Sequence, residues 1–350
     1  MLQGSGARPR RAWLAHLNKD YVYPGGGYDL ARLFSVDDVS KRVQEFLPGI
    51  PEALKEMRLA LRGSEPPDIR PGKQCTSPYD CPFLDYCNDG GTEHPVSQLP
   101  RANQKLLARL EAAGIGDIRE IGPSFVGLNP LQQRVRDCVV DNRLYIDAAI
   151  RGELEGLEYP IHFLDFETFN PALPLYVGTR PYQAIPFQWS DHILGADGKL
   201  THREFLHDGM GDPREPLARS LLKTLGTSGS IVVYSGFEEA RIREIARDVP
   251  QLSEDLLALL DGRIADLLPI VQRRCYHPDF HGSFSLKYVL PALVPDLGYD
   301  DLEITDGQAA SLAYTEIIHP ATPDDRRTQL KTDLLLYCCL LYTSPSPRDR

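Results

Sequence analysis

Ile161-His162-Phe163-Leu164-Asp165-Phe166-Glu167-Thr168-Phe169 sets two acids, two residues apart, inside an otherwise apolar run. Alternate side chains of a β-strand share a face, so Asp165 and Glu167 point together while Phe163, Leu164, Phe166 and Phe169 supply burial. Neighbouring carboxylates repel each other unless a proton or a cation sits between them. On a strand this hydrophobic a divalent metal is the natural resolution, and oxygen ligands suit Mg²⁺ or Mn²⁺. The pattern points to metal-dependent phosphoryl chemistry. Asp-x-Glu also arises by chance on solvated strand faces and in turns, and the apolar flanks weigh against that origin here.

Working outward, the chain has 350 residues, enough for two domains or for one large domain with an appendage. No apolar run approaches the length of a membrane span, and the amino terminus lacks the basic-then-apolar layout of a secretory signal. A cytoplasmic protein with no membrane partner is expected. The net charge of −11 argues against a generally basic protein that coats nucleic acid. It leaves room for a nuclease, whose metal-binding carboxylates coexist with local basic patches. Seven cysteines, three of them in one short segment, do not resemble a secreted disulfide framework. Cys138, Cys275, Cys338 and Cys339 sit in apolar or helical contexts and read as buried, inert thiols.

Before the acidic strand the texture is largely helical. Tyr21-Val22-Tyr23 reads as extended and Pro24-Gly25-Gly26-Gly27 as a turn. Ser35-x-x-Asp38 reads as a helix start, with Val36, Val39, Val43 and Phe46 at helical spacing. Pro51 opens a second helix carrying Leu54, Met57 and Leu61. Residues 101–121 read as helix, Gly114-Ile115-Gly116 turn and short helix. This resembles one helix-hairpin-helix unit, although a plain turn fits better; another helix runs from about Pro130 to Val140. After Pro160 come the acidic strand, extended segments around Ile185–Trp189 and Leu200–Leu206, and a helix near 213–225. A buried strand, Ile231–Tyr234, and a helix, Phe237–Val249, follow. Strands and helices in this order imply an α/β domain with a mixed sheet.

Glu238, in Ser235-Gly236-Phe237-Glu238, lies at a strand-to-helix junction where a carboxylate can approach a site at the end of a sheet. A helix-start Glu favoured by the macrodipole is the plainer alternative. His277 and His281 are four apart, but Pro278 keeps them off a shared regular helix, which argues against a His-x₃-His metal pair. Ser283 reads as the cap of a helix from Phe284 to Leu293. Lys287 on its first turn could face phosphate, though a solvated lysine is commoner.

In this order, these pieces resemble the DEDD (DnaQ-like) superfamily of 3′–5′ exonucleases. Phe163 to Thr168 resembles the first motif. Val233-Tyr234-Ser235-Gly236-Phe237-Glu238 resembles the second, with Glu where Asp is usual. The segment around Asp266 and the helix ending at Leu293 resemble the region that follows. Tyr337-Cys338-Cys339-Leu340-Leu341 supplies the Tyr of a terminal Tyr-x₃-Asp motif but places Leu341 where its Asp belongs. Residues 342–350 look like translated adapter sequence on a shortened reading frame, or a disordered tail. The resemblance implies an RNase H-like mixed sheet flanked by helices and a two-metal site. Asp165, Glu167 and Glu238 would bind Mg²⁺ or Mn²⁺, Tyr337 would position water, and Thr168 and Lys287 would contact nucleic acid. Phe169 and Tyr182 could stack bases, with packing roles the plainer reading for both.

Cys75, Cys81 and Cys87 resemble the carboxyl-terminal cysteines of RecB-like PD-(D/E)XK nucleases that carry a 4Fe–4S cluster. The upstream fourth Cys and the acidic core of that family are absent, so the amino terminus also reads as shortened. Zinc with His94, or three free thiols, are the alternatives. The combination resembles bacterial proteins in which such a module precedes a domain of unknown function with DEDD-exonuclease character.

The organisation expected is therefore a cysteine-bearing, mostly helical remnant of a RecB-like module at 1–95 and a helical connector at 96–158. An RNase H-like domain at 159–341 and a tail at 342–350 complete it. The expected activity is two-metal 3′–5′ hydrolysis of single-stranded DNA or RNA. A binding module with a decayed site, or a phosphatase or nucleotide hydrolase using the same acids, are the alternatives.

Overall fold

The computed structural model describes residues 9–67, 92–209, 211–294 and 306–340, together with 6, 69, 73–75, 77, 79, 81–83, 86–87 and 303–304. The chain divides into two compact units, one of residues 1–90 with 171–183, the other of 91–170 with 184–350. Among the described residues no helix is long and apolar enough to cross a membrane.

In the first unit, β1 (Trp13–Leu17), α1 (Leu30–Leu33), β2 (Phe34–Asp38), α2 (Ser40–Phe46) and α3 (Ile50–Arg62) follow in order. β1 and β2 form an antiparallel pair, with Trp13 opposite Asp38 and Leu17 opposite Phe34. This corrects the reading of Ser35-x-x-Asp38 as a helix start. Cross-strand pairing claims residues 34–38, and the helix waits until Ser40, whose N–H donates to the Asp38 carboxylate. Tyr21 and Leu33 are buried, and the Tyr23 N–H donates to the Thr179 carbonyl.

The second unit opens with α4 (Gln104–Ala112) and α5 (Pro130–Val140), then β3 (Tyr145–Ile146) and α6 (Ile150–Glu155). Asn103 and Asn129 cap α4 and α5, the latter in a reciprocal capping box with Gln132 that starts the helix at Pro130. Next come β4 (Ile161–Phe169), β5 (Ile185–Leu194), β6 (Leu200–Leu206), α7 (Arg214–Leu225), β7 (Ile231–Val233) and α8 (Phe237–Asp248). They are followed by α9 (Ser253–Ala258), β8 (Ile264–Asp266), α10 (Leu267–Arg274), β9 (Cys275–Tyr276), α11 (Leu286–Leu293), α12 (Gly307–Ile317) and α13 (Asp324–Leu340).

Five strands form one sheet in the order β6-β5-β4-β7-β8. β4 runs antiparallel to β5 and parallel to β7, so the sheet is mixed, with helices on both faces, as an RNase H-like sheet requires. Period two divides β4 between the faces. Leu164 and Phe166 join Trp189, Leu217, Leu221, Ile242, Ile245 and Leu256 in a core under α7, α8 and α9. Asp165 and Glu167 face the other way, toward α12 and α13. That face holds a ring cluster in which Phe187 stacks on Tyr314 at 3.9 Å and Phe169 meets Tyr314 edge-on at 4.9 Å. Pro186 cannot donate to the ladder, and the register between β4 and β5 shifts between Glu167 and Thr168 to accommodate it.

The connector helices build a second core with Leu110, Ile118, Val135, Cys138, Cys275, Tyr276 and Phe280. Cys138 and Cys275 are buried there as expected. α11 begins at Leu286 rather than Phe284, and Ser283 does not cap it. Its hydroxyl accepts from the Ser285 N–H instead, inside the preceding turn. The sequence 114–116 is a plain turn: the N–H groups of Gly114 and Ile115 donate to the carbonyls of Glu111 and Leu110, and that of Gly116 to the Glu120 carboxylate. These amides are consumed internally rather than offered to phosphate.

Candidate metal centre

β4 fixes Asp165 and Glu167 on one strand face, Glu167 buried and Asp165 partly open. The third acid arrives from the β7–α8 turn. Ser235 there has φ of +107°, a strained value for a residue with a side chain. Its N–H donates to Asp266 at the end of β8, and its hydroxyl accepts from Phe237 N–H. This brace turns the chain sharply, and Glu238 on the first turn of α8 is carried back toward the strand acids, 4% exposed. Its Oε2 is buried with no hydrogen-bond partner.

Two further groups complete the surroundings. Cys338 of α13 donates its thiol to Asp165 Oδ2 at 3.7 Å, and one ligand atom each from Asp165, Glu167 and Cys338 lie within 4.8 Å of one another. Cys338 is buried, as expected, and its thiol faces the acids. Asp306 caps α12, accepting from Ala309 N–H, and its charge acts on Glu167. α12 begins so close that a Cβ on Gly307 would lie 3.8 Å from Glu167 Oε2.

The electrostatics follow from burying acids together. Burial pushes the Asp165 carboxyl well above its usual range, and the Glu167 charge adds to this. Glu167 is pushed up to about 8 by burial, then by Glu238 and Asp306. Glu238 also rises to about 8 through burial and Asp165, with its own backbone N–H and Arg241 pulling it down. Burial and the two strand acids raise the Cys338 thiol. Such a set holds protons without a cation and releases them to one.

A cavity of about 530 Å³ opens onto Asp165, lined also by Arg101, Tyr234, Ser235, Gln272 and Phe284. Tyr234 donates to the Phe284 carbonyl, and Arg101 to the Gln272 side chain at 3.4 Å. Gly282 also lines it. With φ of +79°, a Cβ there would fall 1.7 Å from the Gln98 carbonyl oxygen, so only glycine permits this approach.

The structure thus brings Asp165, Glu167 and Glu238 together. Tyr337 is buried on α13 beside Cys338, but it is Cys338 that hydrogen-bonds Asp165. Lys287 is exposed and does not line the cavity, whose cationic side chain is Arg101. Thr168 sits past the bulge, half-buried on β4. Phe169 packs in the ring cluster, while Tyr182 is 49% exposed with φ of +59°. Cys75 is buried, Cys81 intermediate and Cys87 exposed, and none of the three is in a disulfide. Among the described residues these sulfurs do not form a close group of the kind found at Asp165. His94 is buried with its ring against His281. His277 and His281 flank a single 3₁₀ turn, not a shared helix. Leu341 and the tail at 342–350 lie outside the described residues.

Cys338, Asp306 and Arg101 are the groups that sequence reasoning missed. A family described as a domain of unknown function (DUF2779) matches residues 162–285, a span that contains Asp165, Glu167, Glu238 and Asp266 but not α13. No curated protein and no solved structure matches the chain.

Proposed function

We propose that this protein hydrolyses phosphodiesters at the end of a single-stranded nucleic acid, using divalent cations held by Asp165, Glu167 and Glu238. The observation that carries this reading is the convergence of three acids from β4 and α8, Glu167 and Glu238 buried and Asp165 opening onto a cavity large enough for a terminal nucleotide. The donor set fits Mg²⁺ or Mn²⁺: carboxylate oxygens predominate, and the unpartnered Glu238 Oε2 gains a partner when a cation enters. When bound, such ions lower the pKa of water and offset charge developing on phosphate oxygens.

The chain's own groups do the rest. The Ser235 brace holds Glu238 in place without cost at the moment of reaction. Arg101 offers its guanidinium to a phosphate entering the cavity, and the ring of Phe284 offers an apolar surface to a base. Tyr337, one residue from the thiol that meets Asp165, is the candidate for orienting water.

The test is incubation of an end-labelled single strand with Mg²⁺ or Mn²⁺. Stepwise release of nucleoside monophosphates, abolished by Asp165→Ala, is expected. Binding without cleavage would mark a decayed nuclease, and release of free phosphate a phosphatase.

A further inference from the structure

A second cluster of ligating side chains lies on the same sheet face, away from the acids. His192 of β5 and His202 of β6 are direct cross-strand partners, with rings stacked at 4.4 Å and 25° between their planes. From the last turn of α13, Cys339 brings its Sγ to 3.8 Å from His192 Nε2. One ligand atom from each of the three lies within 4.8 Å of the others.

The geometry points to a transition-metal site of the Zn²⁺ type at His192, His202 and Cys339. Nitrogen and thiolate donors select zinc or similar borderline ions over Mg²⁺. A nitrogen at about 2.05 Å and a sulfur at about 2.3 Å from one tetrahedral ion stand roughly 3.5 Å apart. The observed 3.8 Å is near that span. His192 is 97% buried; its Nε2 faces Cys339, and its Nδ1 has no hydrogen-bond partner among the described residues. His202 is oriented by Ser190 Oγ, 3.0 Å from its Nε2, as ligating imidazoles commonly are by a neighbouring polar group. With Nε2 held by Ser190, Nδ1 is the nitrogen left for the ion, and a water molecule would complete four-coordination.

This site has a structural consequence. Ser190 is the cross-strand partner of Asp165, and Cys339 follows Cys338 directly. An ion at Cys339 therefore pins the last turn of α13 to β5 and β6, and with it the thiol that meets Asp165. The inference does not depend on nuclease activity.

The experiment loads the metal-stripped full chain with Co²⁺ and follows the thiolate-to-cobalt charge-transfer band in the near ultraviolet, with bound Zn²⁺ measured in parallel. With Cys338→Ser in place, so that the acid site holds no thiol, one equivalent carrying that band is expected. Adding Cys339→Ser or His202→Ala should lose it, whereas adding Asp165→Ala should retain it. His202 is partly exposed and serine is nearly isosteric with cysteine, so circular dichroism should show both variants folded. Absence of the band in Cys338→Ser, or its survival once Cys339→Ser is added, would overturn the proposal.

Discussion

Cys338 Sγ lies 3.7 Å from Asp165 Oδ2, so the last helix presents a thiol where three carboxylates gather. A sulfur donor beside hard oxygens tilts a site from Mg²⁺ toward Mn²⁺ and Zn²⁺. Cys338→Ser should therefore lower the ratio of Mn²⁺-supported to Mg²⁺-supported hydrolysis by about tenfold, or about 1.4 kcal/mol of selectivity. An unchanged ratio in rate assays would remove the thiol from the metal's surroundings.

Stability should depend on pH in an unusual direction. Glu167 and Glu238 are both raised to about 8 in the folded protein, mainly by burial. Between the ordinary glutamate value, about 4.3, and about 8, the folded state binds protons that the unfolded chain has released. Their contribution is fully present below that lower value and is lost as pH rises toward 8. Melting temperature without divalent cations should fall across this window, and the stabilisation by added Mn²⁺ should grow over it. Glu238→Gln should flatten the dependence; a melting temperature that climbs steadily from pH 5 to 8 would contradict the buried-acid account.

Arg263 tests what holds the strand carrying the site. Its guanidinium donates to the carbonyls of Leu225, Gly226, Ser228 and Gly229, the loop that leads into β7. Gly229 crosses so near β4 that a Cβ would lie 2.0 Å from the Pro160 oxygen. Arg263→Ala should cost about 2–4 kcal/mol in urea unfolding, because several hydrogen bonds to a charged donor are lost at once. A change below about 0.5 kcal/mol would show the loop held by other means.

Gly282→Ala should cost at least about 2 kcal/mol, combining a left-handed backbone with a clash against Gln98. Because Gly282 lines the cavity, substrate KM should rise in any folded fraction. Unaltered stability together with unaltered KM would show that the segment repacks freely.

The strand motif was legible because period two is unambiguous when acids alternate with large apolar residues, and Glu238 was legible from its place just after a short buried strand. The last helix was not. Leu334-Leu335-Leu336-Tyr337-Cys338-Cys339 is apolar on every side, so nothing in its pattern says which residue meets the sheet. Only packing reveals that Cys338 turns to Asp165 and Cys339 to His192. Asp306 was hidden for a related reason: it is an ordinary helix cap until α12 lays it beside Glu167. Ser35-x-x-Asp38 misled because it imitates a helix start, and a distant strand partner, Trp13 to His16, decides the outcome instead.

The most direct measurement is a calorimetric Mn²⁺ titration of the full chain at pH 7 in two buffers of different protonation enthalpy. Saturable uptake with release of protons from the acid cluster is expected, with both signals greatly reduced in Asp165→Asn and in Glu238→Gln. No uptake by the unaltered protein, or identical uptake and proton release in both variants, would contradict the claim that these acids share bound cations.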